Sequence, residues 1–270
     1  MRLTIIEDPD DPRIADYRDI RERDLVGRRG LLVAEGAVVL RVLLSEASRA
    51  RPRSVLLARN RVEAFRDVLE PINPSAPVYV AAQPVLDAIA GFPLHRGVLA
   101  LAETPTPPDL DNLLAGAPDD AVVVVALGIG NHDNMGGILR NAAAFGAHAV
   151  LLDDRCCDPF YRKAIRVSVG ASLRVPIGGG RSAVEIVERL QAHGFGLLAL
   201  TPAAHRTLAS VRRHGRTALL LGSEGPGLSP EIIARAQSVG IPMAGGFDSL
   251  NVAATSAIAL HQLMFGSGEG

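Results

Sequence analysis

The chain has 270 residues, which is enough for two domains of ordinary size or one large one. Hydrophobic residues make up 48% and charged residues 21%, a balance typical of a folded globular protein that excludes a disordered chain. With 28 basic and 29 acidic side chains the net charge is −1, which excludes a histone-like polycation but allows a local basic face for nucleic acid. The two cysteines, Cys156 and Cys157, are adjacent and fit neither a disulfide framework nor a metal-ligand spacing. We therefore expect no bound metal and a cytoplasmic location, and we find no signal-peptide or membrane-span pattern.

The first part of the chain mixes helical and strand patterns. Residues 36–47 have the apolar spacing of a helix, and three short apolar runs at 54–58, 77–81 and 97–102 predict strands. A proline-rich stretch follows, with prolines at 105, 107, 108 and 118. It predicts a linker over 106–120, between a small α/β domain at 1–105 and a second domain at 121–270.

The second part alternates more regularly between strands and helices. Strands are predicted at 121–127, 149–152, 197–200, 218–221 and 239–241, and helices at 134–145, 182–193, from Ser229 onward and at 251–265. Continuous apolar strands separated by helices favour a parallel sheet that is covered on both faces. Ligands of such sheets bind beyond the carboxyl ends of the strands.

The first candidate motif, LGIGNHDNMGGILRNAAAFGA at 127–147, follows a strand and enters a helix. A dinucleotide-binding loop would need a third glycine where Asp133 stands, which opposes a nicotinamide-dependent oxidoreductase. What remains is Asn134-x-Gly136-x-x-x-Arg140. Glycine costs a helix about 1 kcal/mol relative to alanine, so Gly136 and Gly137 indicate close approach by a ligand or by another backbone. The alternative interpretation of Arg140 is a solvated helix arginine.

Two further glycine-containing loops follow later strands. LLLGSEGPGLSPE at 219–231 lacks both a nucleophile elbow and a phosphate-loop lysine, so it fits either a ligand cradle or a tight turn. IPMAGGFDSLNVAATSAIALHQL at 241–263 places Ser249 and Asn251 at the start of the last helix, where both residue types commonly act as caps.

The three motifs, in this order and spacing, resemble those of the SpoU/TrmH family of RNA ribose 2′-O-methyltransferases, within the SPOUT superfamily. The resemblance covers residues 121–265, and LVAEGAVVLRVLL (32–44) and HRGVLALAE (95–103) more loosely resemble the family's small α/β substrate-binding domain. It implies an α/β fold with a deep trefoil knot in the C-terminal parallel-sheet domain. It also implies S-adenosylmethionine as the cofactor, and a homodimer with its active site near the subunit interface.

Matching the motifs residue by residue implies roles for eight positions. The catalytic residues implied are Asn134, Arg140, Glu224, Ser249 and Asn251, and the cofactor-binding residues are Gly222, Ile241 and Leu250. The sequence departs from the family pattern at Ala253, where serine is common, and at 131–133, where a proline-containing stretch is common. For Arg140 we favour holding a phosphate and stabilising the developing alkoxide over acting as a base, since the pKa of arginine exceeds 12.

RNA affinity requires local positive charge. Residues 41–61 carry six arginines, which fit an RNA-binding face or a solvated arginine-rich surface equally well. A second cluster, Arg162, Lys163 and Arg166, precedes another family-like segment and is the better candidate for phosphate binding. We expect ribosomal RNA to be a more suitable substrate than tRNA. The alternative function is a catalytically weak RNA-binding or ribosome-assembly factor with the same fold.

Overall fold

A computed structural model describes residues 3–18, 30–72, 76–91, 93–213, 215–245 and 249–266. Its strands are β1 (Leu3–Ile6), β2 (Leu31–Glu35), β3 (Arg51–Ala58), β4 (Val78–Ala81), β5 (Val98–Glu103), β6 (Val122–Ala126), β7 (Ala149–Asp153), β8 (Ile177–Arg181), β9 (Gly196–Leu200), β10 (Thr217–Leu221) and β11 (Gln237–Val239). Its α-helices are α1 (Ala37–Leu43), α2 (Arg66–Leu69), α3 (Gln83–Ala90), α4 (Leu110–Ala115), α5 (His132–Ala144), α6 (Arg162–Val167), α7 (Ala183–Ala192), α8 (Pro230–Ala234) and α9 (Val252–Phe265). No helix in these ranges is both long and apolar enough to cross a membrane.

The chain forms two compact units. The first unit comprises Met1–Pro105 and Phe160–Arg174. Its five-stranded sheet has the order β1-β4-β3-β5-β2, with parallel pairing among β1, β4 and β3 and antiparallel pairing of β5 with both β3 and β2. Apolar side chains such as Leu56, Leu86 and Leu99 form its core, which confirms the small α/β fold.

The second unit comprises Thr106–Pro159 and Val175–Gly270. Its six-stranded sheet has the order β11-β9-β10-β6-β7-β8, and every neighbouring pair is parallel. The predicted parallel sheet is confirmed. β6 and β10 are buried along their whole length, as their continuous apolar runs predict for strands covered on both faces. The trefoil knot that the resemblance implies stays a prediction.

The structure differs from the predicted boundaries in two places. Residues 106–120 are no simple linker, because they contain α4, where the side chain of Asp109 caps the helix by accepting a hydrogen bond from the backbone N–H of Asn112. Leu110 and Leu114 on this helix are buried in the core of the second unit. The segment Phe160–Arg174, expected in the second domain, groups with the first unit instead.

Candidate active site

Loops that carry the three motifs leave the same edge of the second sheet. β10 lies between β9 and β6, and β11 pairs with β9, so in this parallel sheet the segments after β6, β10 and β11 all start at the carboxyl edge. The chain proceeds from β6 to β7 and β8 on one side, then crosses to β9 on the other. Reversals of this kind form the crevice in which open α/β sheets bind ligands.

A hydrogen-bonded triad joins one side chain from each motif. The amide nitrogen Nδ2 of Asn134 donates to Oε1 of Glu224 at 2.6 Å. Nδ2 of Asn251 donates to Oδ1 of Asn134 at 2.8 Å and lies 3.4 Å from Oε1 of Glu224. Asn134 is only 5% exposed, so its amide depends on these partners for hydrogen bonding. The triad brings together three of the five residues predicted to be catalytic.

Asn251 has two roles at once. Its Oδ1 accepts hydrogen bonds from the backbone N–H groups of Ala253 and Ala254, which makes it the N-cap of α9. Its Nδ2 faces the other way and supplies the bonds to Asn134 and Glu224. The capping interpretation of this residue is therefore confirmed, and its catalytic role stays a prediction.

Helices α5 and α9 pack closely behind the triad. A Cβ atom at Gly137 would lie 2.6 Å from the Cβ of Ala253, so this glycine is required by the approach of another helix. Nδ2 of Asn141 reinforces the contact by donating to the carbonyl of Ala253 at 2.7 Å and to the hydroxyl of Ser256 at 2.9 Å. Ala253, where the sequence departs from the family pattern, is thus a packing position.

A buried carboxylate holds the loop after β6. Oδ1 of Asp153 accepts a hydrogen bond from the backbone N–H of Gly128 at 2.8 Å, and the Asp153 side chain is 0% exposed. Gly128 adopts a left-handed φ of +68°, with the loop continuing into the N-cap of α5. Asp153 stands where a dinucleotide-binding protein has the acidic residue that binds the ribose. In this protein its carboxylate binds the backbone N–H of Gly128.

The thiol of Cys156 also holds the loop after β6. Cys156 Sγ donates to the carbonyl of Ala126 and accepts from the N–H of Ile129, at 3.2 and 3.3 Å. Burial raises the pKa of the Cys156 thiol to about 12. Cys156 is therefore a structural residue of this loop.

The loop after β10 closes on itself. A Cβ atom at Gly222 would lie 2.4 Å from the carbonyl carbon of Gly227, so only glycine fits there. The N–H of Gly227 donates to the carbonyl of Ser223 at 3.1 Å, and Gly225 adopts a φ of +86°. The turn itself explains these glycines, and it places exposed Glu224 at its tip, where it reaches the triad.

The predicted cofactor-binding residues follow β10 and β11 or precede α9. Gly222 follows β10 directly, and half-buried Ile241 follows β11. Leu250, next to Asn251, is 46% exposed. Ser249 is exposed on the same segment. Together these residues present a mixture of apolar side chain and loop backbone, which suits a cofactor with a flat heterocycle and polar ends.

Arg140 stands apart from the triad. It lies six residues after Asn134 on α5, which at 3.6 residues per turn places it about 120° around the helix. It is exposed, and its guanidinium makes no hydrogen bond or ion pair with any residue that the structure describes. Through the described residues, Arg140 is thus not connected by hydrogen bonds to the triad.

Of the predicted RNA-binding residues, Arg162 has a structural partner in the first unit. Its Nη1 donates to Oε2 of buried Glu35 at 2.8 Å, and Nη1 of Arg166 lies 3.8 Å from the same oxygen. Arg162 is 23% exposed and Arg166 40%, while Lys163 is exposed. Arg162 therefore neutralises a buried carboxylate, and Arg166 and Lys163 are the more accessible cations.

Several arginines of the 41–61 cluster are also paired. Arg41 forms an ion pair with Asp67 and lies over the ring of Phe65. Arg51 and Arg53 both pair with Glu103. The cluster is therefore less positive than its sequence indicates. Arg49, Arg59 and Arg61 form no ion pair within the described part of the chain.

The chain is similar to known RNA methyltransferases in sequence. The family model of the SpoU rRNA Methylase family matches residues 121–261. An uncharacterized tRNA/rRNA methyltransferase of Mycobacterium tuberculosis is 39% identical over 265 residues, covering 94% of this chain and 89% of the relative. A 23S rRNA (guanosine-2′-O-)-methyltransferase of Xanthomonas campestris is 31% identical over 181 residues, covering 66% of this chain and 73% of the relative.

Solved structures show the same fold over nearly the whole chain. The crystal structure of an RNA 2′-O ribose methyltransferase matches with a TM-score of 0.80 and 26% identity, covering 96% of this chain and 98% of that one. The SpoU methyltransferase AviRb from Streptomyces viridochromogenes, in complex with AdoMet, matches with a TM-score of 0.80 and 24% identity, covering 94% and 98%.

Proposed function

Because the chain belongs to the SpoU rRNA Methylase family, and is thereby an RNA methyltransferase, we propose that it methylates a ribose 2′-hydroxyl. We further propose ribosomal RNA as the substrate, in preference to tRNA. The observation that carries this proposal is the triad of Asn134, Glu224 and Asn251, which joins all three motifs in one site. The similar 23S rRNA (guanosine-2′-O-)-methyltransferase and the similar 2′-O ribose methyltransferase structure support the choice of atom.

S-adenosylmethionine, when bound, supplies an electrophilic methyl group on a sulfonium. The residues that would hold it are Gly222, Ile241 and Leu250 at the carboxyl edge of the second sheet. The exposed side chain of Leu250 offers an apolar surface for the adenine, and the loop backbones offer polar groups. These residues fit the cofactor that the family uses.

The protein's own contribution to the chemistry is orientation and electrostatics. Holding the attacking oxygen in line with the methyl group lowers the barrier by about 7–11 kcal/mol in well-oriented systems. The triad fixes the segments that lead into α5 and α9, with Ser249 beside them to contact the ribose. The guanidinium of Arg140 binds the neighbouring phosphate and stabilises the developing alkoxide, and the 2′-hydroxyl proton leaves to another group or to water.

The position of Arg140 favours a homodimer, which is part of this proposal. It lies about 120° around α5 from Asn134 and is exposed, so a second copy can complete the site. On α9 the apolar side chains of Ile258 and Phe265 are 44% and 62% exposed, and Phe145 at the end of α5 makes edge contacts with the rings of His261 and Phe265. An exposed apolar stripe of this kind is typical of a subunit interface.

Sedimentation velocity tests the dimer. The wild type should sediment as a dimer, and Ile258→Asp should shift it to a monomer, since a carboxylate would be desolvated at the interface. If wild-type protein sediments as a monomer at micromolar concentration, the shared-site part of the proposal is wrong.

Analysis of the methylated product tests the proposed reaction. Total RNA from a strain that lacks the protein is incubated with the enzyme and methyl-labelled S-adenosylmethionine, digested to nucleosides and separated. We expect the label in a 2′-O-methylnucleoside of ribosomal RNA. Label in a base-methylated nucleoside would contradict ribose methylation, and RNA binding without label transfer would favour the assembly-factor alternative.

A further inference from the structure

The first unit contains a cationic cavity that the proposed chemistry does not use. It has a volume of about 490 Å³ and lies between the start of α1, the segment before β5 and the end of α6. Its charged and polar lining includes Arg61, His95, Arg96 and Arg166, and its apolar lining includes Val38 and Val169. A volume in this range is typical of sites for small organic groups.

The charge of the cavity favours an anion. Among the residues that the structure describes, Glu35 is the one carboxylate in its lining, and it is already held by Arg162 and lies near Arg166. Arg61 and Arg96 are both exposed and make no hydrogen bond or ion pair with the residues that the structure describes. Two unpaired guanidinium groups facing one cavity offer bidentate donors of the kind that bind phosphate.

Two glycines leave room for these arginines. Gly36 adopts a φ of +98°, and a Cβ atom there would lie 3.0 Å from Nη1 of Arg96. A Cβ atom at Gly97 would lie 2.8 Å from the Cβ of Ala58 and 3.5 Å from Cγ of Arg61. Gly36 is therefore explained by its left-handed φ and by Arg96, which lies against its backbone.

The apolar wall of the cavity contains a strained residue. Val169 has a φ of +56°, a left-handed conformation that is rare for a β-branched side chain. It follows α6 at a position where helices commonly end in glycine. Strain of this kind is concentrated at functional sites, where the surrounding structure maintains it. Across the cavity, Val38 is 56% exposed.

We propose that this cavity binds one nucleotide of the substrate RNA, as an anchor separate from the nucleotide that is methylated. Arg61 and Arg96 contact its phosphodiester, with Arg166 adding positive charge, and the ribose or base packs against Val38 and Val169. Glu35 is a positioning residue that holds Arg162 and keeps Arg166 at the rim. This inference rests on the proposed function only in taking RNA as the substrate.

Binding measured without cofactor tests the anchor. The probe is a fluorescein-labelled 20-nucleotide single-stranded RNA of random sequence, titrated with full-length protein by fluorescence anisotropy at several KCl concentrations. Arg61→Gln and Arg96→Gln should each weaken binding about 5- to 10-fold. Because both arginines contact one phosphate, each variant should flatten the slope of log affinity against log salt by at most about 0.7, the contribution of one phosphate on a single strand.

Arg59→Gln is the matched control. Arg59 is exposed two residues before Arg61 and carries the same charge, but it is not part of the cavity lining. It should leave affinity within about twofold of wild type, and all three variants should keep the wild-type melting temperature, because surface substitutions without partners have small effects.

Three results would overturn the anchor: wild-type affinity in Arg61→Gln and Arg96→Gln, an equal loss in Arg59→Gln, or no binding of the probe by the wild type. Failure of the proposed function is distinguishable, because it is measured with wild-type protein as the chemical identity of the methylated nucleoside. A base-methylated product together with weakened binding in the cavity variants would retain the anchor and reject ribose methylation.

Discussion

Replacing Asn251 by aspartate separates its capping role from its role in the triad. Aspartate caps helices about as well as asparagine, so the bonds to the N–H groups of Ala253 and Ala254 are retained. In the wild type, Nδ2 of Asn251 lies 2.8 Å from Oδ1 of Asn134 and 3.4 Å from Oε1 of Glu224. In the variant, a carboxylate oxygen replaces this amide nitrogen, so the donor is lost. Asn251→Asp therefore places a second carboxylate beside that of Glu224 and keeps the N-cap of α9.

The expected loss of stability follows from these contacts. The hydrogen bond to Asn134 contributes about 1 kcal/mol. Two like charges about 4 Å apart repel by about 1 kcal/mol in a water-like environment, which is appropriate because Glu224 and Asn251 are both exposed. Asn251→Asp should thus lower the free energy of unfolding by about 2 kcal/mol at pH 7.5. About half of this loss should disappear when the pH is lowered to 4, because protonation of either carboxylate ends the repulsion.

Asn251→Ala is the matched control, measured by urea unfolding beside wild type at both pH values. It loses the cap, about 1 kcal/mol, and the hydrogen bond to Asn134, about 1 kcal/mol, so its total loss is similar. No new charge is introduced, so its deficit relative to wild type should depend much less on pH. Equal pH dependence in the two variants, or no deficit in Asn251→Asp, would refute the triad as the structure shows it.

Three further predictions concern other parts of the second unit. Arg140→Ala should change the free energy of unfolding by less than about 0.5 kcal/mol, since Arg140 is exposed and unpaired in the described structure. The same substitution should abolish methyl transfer in a single-turnover assay. Arg140→Lys should be nearly as inactive, because lysine lacks the planar fork, and near wild-type rates for Arg140→Ala would reject its catalytic role. Gly137→Ala should lower the melting temperature by the equivalent of about 1–3 kcal/mol, because the new Cβ would lie 2.6 Å from the Cβ of Ala253. Adding Ala253→Gly should restore the melting temperature. Additive effects of the two substitutions would contradict the contact. Asp153→Ala should lower the free energy of unfolding, measured by calorimetry, by about 1–3 kcal/mol, because the N–H of Gly128 loses its acceptor. Asp153→Asn keeps an acceptor oxygen and should lower it less. Equal losses in the two variants would show that the acceptor oxygen is not the cause.

Elements with strong local patterns could be predicted from the sequence. The apolar runs at 121–127 and 218–221 are β6 and β10, and the last helix extends over Val252–Phe265 with Asn251 as its cap. The sequence does not predict β8, because IGGGR has a single branched side chain. A Cβ atom at Gly178 would lie 2.9 Å from Cδ2 of Leu151 on the neighbouring strand, so packing by that strand accounts for this glycine.

Contacts between distant parts of the sequence explain the other differences. α4 is flanked by prolines that indicate a linker, and only the burial of Leu110 and Leu114 shows it to be part of the core. The capping role of Asn251 depends on its immediate neighbours, whereas its bond to Asn134 spans 117 residues. Pairing of Arg162 with Glu35, 127 residues away, is equally invisible to local pattern, and the phosphate-binding role of Arg162 stays a prediction.

Mapping of 2′-O-methyl groups in cellular RNA tests ribose methylation by this protein most directly. A 2′-O-methyl group prevents alkaline cleavage of the following phosphodiester bond, so each modified position is protected. Ribosomal RNA from cells with and without the protein is compared, and the deletion is complemented with wild type or with Arg140→Ala. We predict that protection at one or a few positions of ribosomal RNA disappears in the deletion, returns with wild type and does not return with Arg140→Ala. Unchanged protection across all cellular RNA in the deletion would contradict the proposed function.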